Sequence, residues 1–286
     1  MLYWQTSRRK LNLDRTLVMA ILNVTPDSFS DGGRTLSIDD ALQHAEKMIG
    51  EGADIIDIGG ESTRPGRSRV SVEEEVGRVV PVIEAIRKHF EIPISVDTSK
   101  SEVARASVNA GAEIINDISG LRFDEGIAEV AAKHGTGLIL MHSRGSFESM
   151  HDQNYAVDVF EDVSRGFQQS IDKAVAAGVR PENIVLDVGI GFGKSQEQNL
   201  ELIAKLHKLT DGFPRYPMLC GTSRKSFIGK ILGGAPTGER LSGSLATAAI
   251  AVWNGAKIVR VHDVKGTVET LKVVNAIKTI GLHARE

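Results

Sequence analysis

GADII (52–56), GAEII (111–115) and GAKIV (255–259) are three copies of one junction. In each, glycine follows a stretch of helical periodicity and an apolar β-rich run follows alanine. A glycine there closes a helix in the left-handed conformation, and the small alanine lets the chain turn at once into a strand. Working outward from these junctions, eight short apolar runs space the chain at 17–22, 54–58, 92–96, 113–118, 137–141, 183–188, 216–220 and 257–261. Most are apolar nearly throughout, as parallel strands buried on both faces are. Amphipathic stretches lie between or after them, at 38–49, 72–89, 102–110, 125–134, 155–177, 196–209, 241–253 and 268–280. Ser71–Glu74, Ser99–Glu102 and Ser195–Gln198 have the spacing of capping boxes that open helices. Eightfold strand–helix alternation predicts an α/β fold, a TIM-type (β/α)8 barrel forming one domain over 1–286 with its core at about 15–280. The competing architecture is an open doubly wound sheet, but the glycine-rich GxGxxG phosphate loop that would support it is absent.

Composition narrows the function. A formal net charge of −3 gives no general attraction to nucleic acid or to an anionic membrane. No 18-residue apolar run predicts a membrane span, and the first fifteen residues lack the apolar core of a signal peptide. The single cysteine, Cys220, forms no intramolecular disulfide, which fits a cytoplasmic protein, and its place in an apolar run predicts a buried, inert thiol.

Function on such a barrel gathers at the C-terminal ends of the strands. The polar residues there are Asn23, Asp57, Asp97, Asn116, His142 beside Met141, Asp187, Ser223 with Lys225, and Arg260 with His262. An ionised aspartate accepts two parallel hydrogen bonds from a guanidine-like edge, so three carboxylates and an asparagine suit a flat heterocycle rich in N–H donors, such as a pterin. Arg260 and His262 project to one side of the last strand, which neighbours the first strand and Asn23 in a closed barrel. That trio suits a pyrophosphate, with Mg²⁺ joining through waters and phosphate oxygens. The loops NVTPDSFSDGG (23–33) and GGESTRPGRSR (59–69) exceed the usual βα connection and have the character of lids.

These loops, with SVDTSK (95–100), NDISG (116–120), MHSRG (141–145), DVGIGFGKS (187–195), GTSRKSFIG (221–229) and RVHDV (260–264), occur in an order that resembles the dihydropteroate synthase family over roughly residues 15 to 280. The resemblance implies condensation of 6-hydroxymethyl-7,8-dihydropterin pyrophosphate with p-aminobenzoate. It implies a pterin pocket of Asp97, Asn116, Ile118, Met141, Asp187, Gly221 and Lys225. It places Asn23, Arg260 and His262 at pyrophosphate, with Asn23 at Mg²⁺. It places Thr63, Arg64, Pro65, Phe192 and Ser223 at p-aminobenzoate, with Lys225 bordering both pockets. Asp57, Asp97 and Lys225 fall to the reacting centre. Sulfonamide inhibition and a homodimer are further implications. Val188, Phe147, Thr222, Arg67 and Arg69 depart from the family's usual residues without removing a functional group. Two rival readings are a methyltetrahydrofolate-binding barrel that hands methyl to a corrinoid protein and a non-catalytic pterin-binding module. The first is not expected to carry the TPDSF and STRPG loops. The second expects the loss of Lys225, Arg260 or a lid.

Overall fold

A computed structural model describes residues 2–25, 37–62, 68–150 and 155–283. In chain order the elements are β1 (Tyr3–Gln5), β2 (Lys10–Asn12), β3 (Leu17–Asn23), α1 (Ile38–Gly50), β4 (Ile55–Gly59), α2 (Val72–His89), β5 (Ile94–Asp97), α3 (Ser101–Ala110), β6 (Ile114–Asp117), α4 (Gly126–His134), β7 (Gly137–Met141), α5 (Val159–Ala176), β8 (Ile184–Asp187), α6 (Gln196–Ala204), α7 (His207–Gly212), β9 (Met218–Cys220), α8 (Ser226–Ile231), α9 (Leu241–Trp253), β10 (Ile258–Val261) and α10 (Val264–His283). Strands β3 to β10 pair in parallel in sequence order, and β10 returns to β3 to close the barrel. All eight predicted strands are present, and the fold is the (β/α)8 barrel that their alternation implied.

The three glycine junctions behave as their sequence requires. Gly52, Gly111 and Gly255 have φ of 101°, 119° and 111°. In each case the glycine and the following alanine donate backbone hydrogen bonds to carbonyls of the helix just ended. This satisfies groups that the helix end leaves open and aims the chain into β4, β6 and β10.

Period-two alternation divides each strand between two environments. Val18, Ala20 and Leu22 on β3, Ile56 and Ile58 on β4, and Leu138 and Leu140 on β7 pack outward with the helices in one large apolar cluster. The alternate residues Leu17, Met19, Ile55, Ile114, Ile139, Val185, Leu219 and Ile258 fill the barrel's lower interior as a second cluster. Two residues further along the same inward rows the side chains become Asp57, Asn116, Asp187 and Arg260. The apolar floor and the polar mouth therefore belong to one set of strands, and strand register sets the height of each polar group.

The β1–β2 hairpin was not expected from the sequence. It sits under the barrel, with Trp4 fully buried against the inner cluster and its Nε1 donating to the Asn183 carbonyl at 2.8 Å. Glu113 secures the hairpin from the start of β6. Its buried carboxylate accepts from Thr6 Oγ1 at 2.8 Å, Arg9 Nε at 3.0 Å and Arg87 Nη2 at 3.1 Å. Its strands have three residues each, too few for a periodicity signal in the sequence.

Three helix readings need correction. Ser71 accepts the Glu74 N–H at 3.2 Å and caps α2, but no return bond from the Glu74 side chain completes a capping box. Ser99 does not open a capping box, because α3 begins at Ser101 and has no side-chain cap from Lys100. Asp124 accepts the Ser101 N–H at 2.6 Å instead, so a carboxylate from the next βα loop does the capping. The stretch read as one helix over 196–209 is two, α6 and α7. Ser195 does form a full capping box with Gln198, as does Ser37 with Asp40, a pair not picked out from the sequence.

Replacing Trp4 by alanine removes the largest side chain at the barrel floor. Urea denaturation is expected to show a loss of about 3–5 kcal/mol for this buried aromatic truncation. A loss under about 1 kcal/mol, the range of an exposed substitution, would contradict a sealing role for the hairpin.

Candidate active site at the barrel mouth

The C-terminal ends of the strands surround a cavity of about 330 Å³. Asn23, Asp97, Asn116, Ile118, Met141, Asp187, Phe192, Gly221, Ser223, Lys225, Arg260 and His262 all line it. Register explains the grouping. Asp97 on β5 is paired with Asn116 on β6, and Met141 on β7 with Asp187 on β8. Thr63, Arg64 and Pro65 lie outside the described residues, as do Arg67, Phe29 and most of the first long loop.

Arg260 dominates the geometry. Its Nε donates to Asp57 Oδ2 at 2.6 Å and its Nη2 to Asp97 Oδ2 at 2.6 Å. Asn116 Nδ2 adds a hydrogen bond to Asp57 Oδ2 at 3.1 Å. Asp57 is fully buried and lies behind Arg260 rather than on the cavity wall. Burial works against the Arg260 charge, but Asp57 and Asp97 outweigh it and raise the guanidinium pKa. Burial pushes the Asp97 carboxyl up to about 7 even though Arg260 pulls it down. Burial likewise raises Asp187, whose Oδ1 accepts the Gly189 N–H at 2.8 Å. One cation thus lies against two carboxylates beneath an open pocket, while Asp187 and Asn116 present polar groups across it.

His262 and Ser223 form a second cluster. His262 Nδ1 lies 3.1 Å from Ser223 Oγ, which also accepts the His262 backbone N–H at 3.2 Å. Burial and then Arg260 push His262 down to about 3, so the ring is neutral near pH 7 and contributes hydrogen bonding rather than charge. Hydrogen bonds thus link residues that the resemblance assigns to different ligands. Ser223 bonds His262, and Arg260 bonds the two aspartates.

Lys225 carries its Nζ 4.2 Å from the centroid of the Phe192 ring, within cation–π range. The Phe192 turn is built on left-handed glycines at 189, 191 and 193, which no side chain adopts without strain. His142, a strand-end candidate, faces away from the cavity. Its Nε2 is 3.3 Å from Asp162 Oδ2 on α5, and its Nδ1 meets Lys194.

Several cavity-lining residues were not singled out from the sequence: Thr25, Glu61, Arg224 and Arg240. Glu61 stood within the quoted ESTRPG motif. It accepts from Lys100 Nζ at 2.8 Å and from the Val70 N–H at 2.8 Å, which joins the two ends of the second long loop. Arg240 bonds the carbonyls of Ala235 and Arg224, and no local pattern marks it. The structure also finds a role for two departures from the family pattern. Phe147 packs with Ile118, Met141 and Phe192, and the Arg69 guanidinium lies 4.8 Å from its ring centroid.

Residues 19–262 match the pterin binding enzyme family. The dihydropteroate synthase of Escherichia coli is 52% identical over 266 residues, covering 93% of each chain. That of Bacillus subtilis is 50% identical over 268 residues, 94% of this chain and 90% of the relative. The chain belongs to the dihydropteroate synthases. Among solved structures, the Yersinia pestis dihydropteroate synthase with a sulfonamide drug superposes with a TM-score of 0.91 at 47% identity, over 97% of this chain and 100% of that one. The Burkholderia cenocepacia enzyme complexed with 7,8-dihydropteroate gives 0.87 at 41%, over 99% and 98%.

Lys225 generates a titration prediction. Burial pushes its ammonium down to about 8, with Arg260 adding to the shift and Asp187 opposing it. The charge is therefore present below that pH and is lost as pH rises through it. In protein labelled with ¹³C at lysine Cε, the Lys225 resonance, assigned by its loss in Lys225→Arg, should titrate near pH 8. A midpoint at the ordinary lysine value would show that the ammonium is solvated.

Proposed function

We propose that the chain condenses 6-hydroxymethyl-7,8-dihydropterin pyrophosphate with p-aminobenzoate to give 7,8-dihydropteroate and pyrophosphate. The single observation that carries this reading is the polar mouth, with Asp97, Asn116, Asp187 and Lys225 converging on one cavity in a chain of this family. Asp187 and Asn116 suit the hydrogen-bonding edge of the pterin, with Ile118, Met141 and Gly221 as apolar walls. Phe192 and Ser223, beside Lys225, are assigned to p-aminobenzoate, and Thr63, Arg64 and Pro65 complete that assignment.

The reaction breaks the C–O bond between the pterin methylene and pyrophosphate. Both electrons leave with the oxygen. The arylamine nitrogen then supplies the pair for the new C–N bond and releases a proton. Early departure leaves a cationic methylene, which buried carboxylates stabilise. Asp57 and Asp97 are positioned for that role. Arg260 bridges them and can turn its remaining donors to the leaving group, with His262 and Asn23 beside it. Excluding water protects the cation from capture.

Mg²⁺ belongs to this reading through Asn23. Among the described residues no three carboxylate, histidine or cysteine side chains gather as a metal site. A neutral amide oxygen fits a magnesium ion that takes most of its coordination from phosphate oxygens and waters. Bound there, the ion would neutralise charge developing on the departing pyrophosphate.

We also propose a homodimer. Ile250 and Trp253 on α9, with Val273, Ile277 and Ile280 on α10, are exposed although apolar, and the two helices pack side by side. Among the described residues no helix is long and apolar enough to cross a membrane. A cytoplasmic location is part of the reading, supported by a lone buried cysteine that has no partner for an intramolecular disulfide.

Pyrophosphate release tests the reaction. Release should require both organic substrates and Mg²⁺, and a simple sulfonamide should raise the apparent KM for p-aminobenzoate without lowering the maximal rate. Multiple-turnover release with either substrate omitted, or inhibition that p-aminobenzoate does not relieve, would contradict the reading. Light scattering should give twice the 30.9 kDa chain mass. The monomer mass at micromolar protein would contradict the dimer.

A further inference from the structure

The lysine of the DVGIGFGKS motif has no part in the chemistry above, yet its surroundings are specific. Lys194 lies outside the cavity, on the far side of the turn that carries Phe192, and its ammonium is buried. Nζ is 2.9 Å from the Gly189 carbonyl, 3.1 Å from that of Phe192, 3.2 Å from that of His142, and 3.0 Å from His142 Nδ1. Three ammonium hydrogens thus face four acceptors. Two of these acceptors are the ends of the turn, and the other two fix it to the end of β7. His142 in turn leans on Asp162 through Nε2. Asn199 holds the same turn from α6, accepting the Gly191 N–H at 2.7 Å and donating to the Ser195 carbonyl at 2.7 Å.

No carboxylate lies within ion-pair distance of Lys194 among the described residues, and burial pushes its ammonium down to about 7. Burying a cation without a paired carboxylate is a poor way to stabilise a fold, and an apolar chain of similar length would fill the space at less cost. What an apolar chain could not do is hold several carbonyls in one fixed arrangement. The glycine turn has no side chains of its own with which to fix itself, and the Phe192 ring rides on it with Lys225 against its face.

We propose that Lys194 is the positioning residue of the arylamine subsite, acting through the 189–192 turn to hold the Phe192 ring where p-aminobenzoate stacks. The proposal rests on the reading that Phe192 walls that subsite. Lys194→Met keeps the volume and removes the donors. It should raise KM for p-aminobenzoate about fivefold or more, the cost of a mislaid aromatic contact, while kcat and calorimetric pterin affinity change by less than about twofold. Phe192→Leu should also raise that KM, and adding Lys194→Met to it should raise it little further, since both act on one ring. Asn199→Ala releases the turn from its other side and should give the same split, which keeps the test available if the lysine variant does not accumulate.

An unchanged KM in Phe192→Leu would overturn the arylamine reading and the proposal with it. A raised KM in Phe192→Leu alongside an unchanged KM in Lys194→Met, or in Asn199→Ala where that variant stands in, would overturn the proposal alone. So would a parallel loss of kcat and pterin affinity in Lys194→Met, which marks a general structural role, or effects that multiply in the double variant.

Discussion

Asp57, Asp97 and Arg260 set the terms for everything above the barrel floor. Two carboxylates close together in a low-dielectric interior would not both stay ionised unaided. The guanidinium between them donates to each at 2.6 Å and opposes the rise that burial imposes on Asp97. Its planar fork reaches both partners where a lysine would offer a single point. On the proposed reading, the same arrangement suits a reaction that separates charge, since carboxylates and a fixed cation lie together at one mouth.

Strand register delivers these groups to a common height. Four inward rows place an aliphatic residue and then, two positions on, a polar one: Ile55 then Asp57, Ile114 then Asn116, Val185 then Asp187, Ile258 then Arg260. The aliphatic layer gives the polar layer a floor that water does not cross, and Trp4 closes that floor from beneath. Slippage of one residue in any strand would send its polar group into the helix layer. Fold stability and site geometry are thus one constraint.

The barrel was legible because its signals are local and repeated: apolar runs, helix periodicity and the glycine junctions. The cavity wall was legible for a related reason, since strand ends converge in this fold wherever they stand in the chain. What stayed hidden depends on partners remote in sequence. Nothing near Ser99 reveals that Asp124 caps α3. Nothing near Arg260 says that it turns to Asp57 and Asp97 rather than toward His262. The pairing of Ser223 with His262 crosses two ligand classes that the family resemblance kept apart. Three-residue strands beneath the barrel carry no periodicity at all, and Glu113, which secures them, reads in sequence as an ordinary polar start to a strand.

The closing pair of the barrel has a bearing on how the chain acquires its site. Strand β10 meets β3 with Ile258 opposite Leu17, so the seam joins residues from nearly opposite ends of the sequence. Arg260 belongs to that final strand. During synthesis the ribosome presents Asp57 and Asp97 long before the residue that neutralises them exists. Until β10 arrives the nascent sheet has two open edges and a pair of carboxylates better left in water, which favours a loose intermediate over a prematurely sealed one. The counter-charge of both carboxylates is thus the part of the mouth that the chain supplies last.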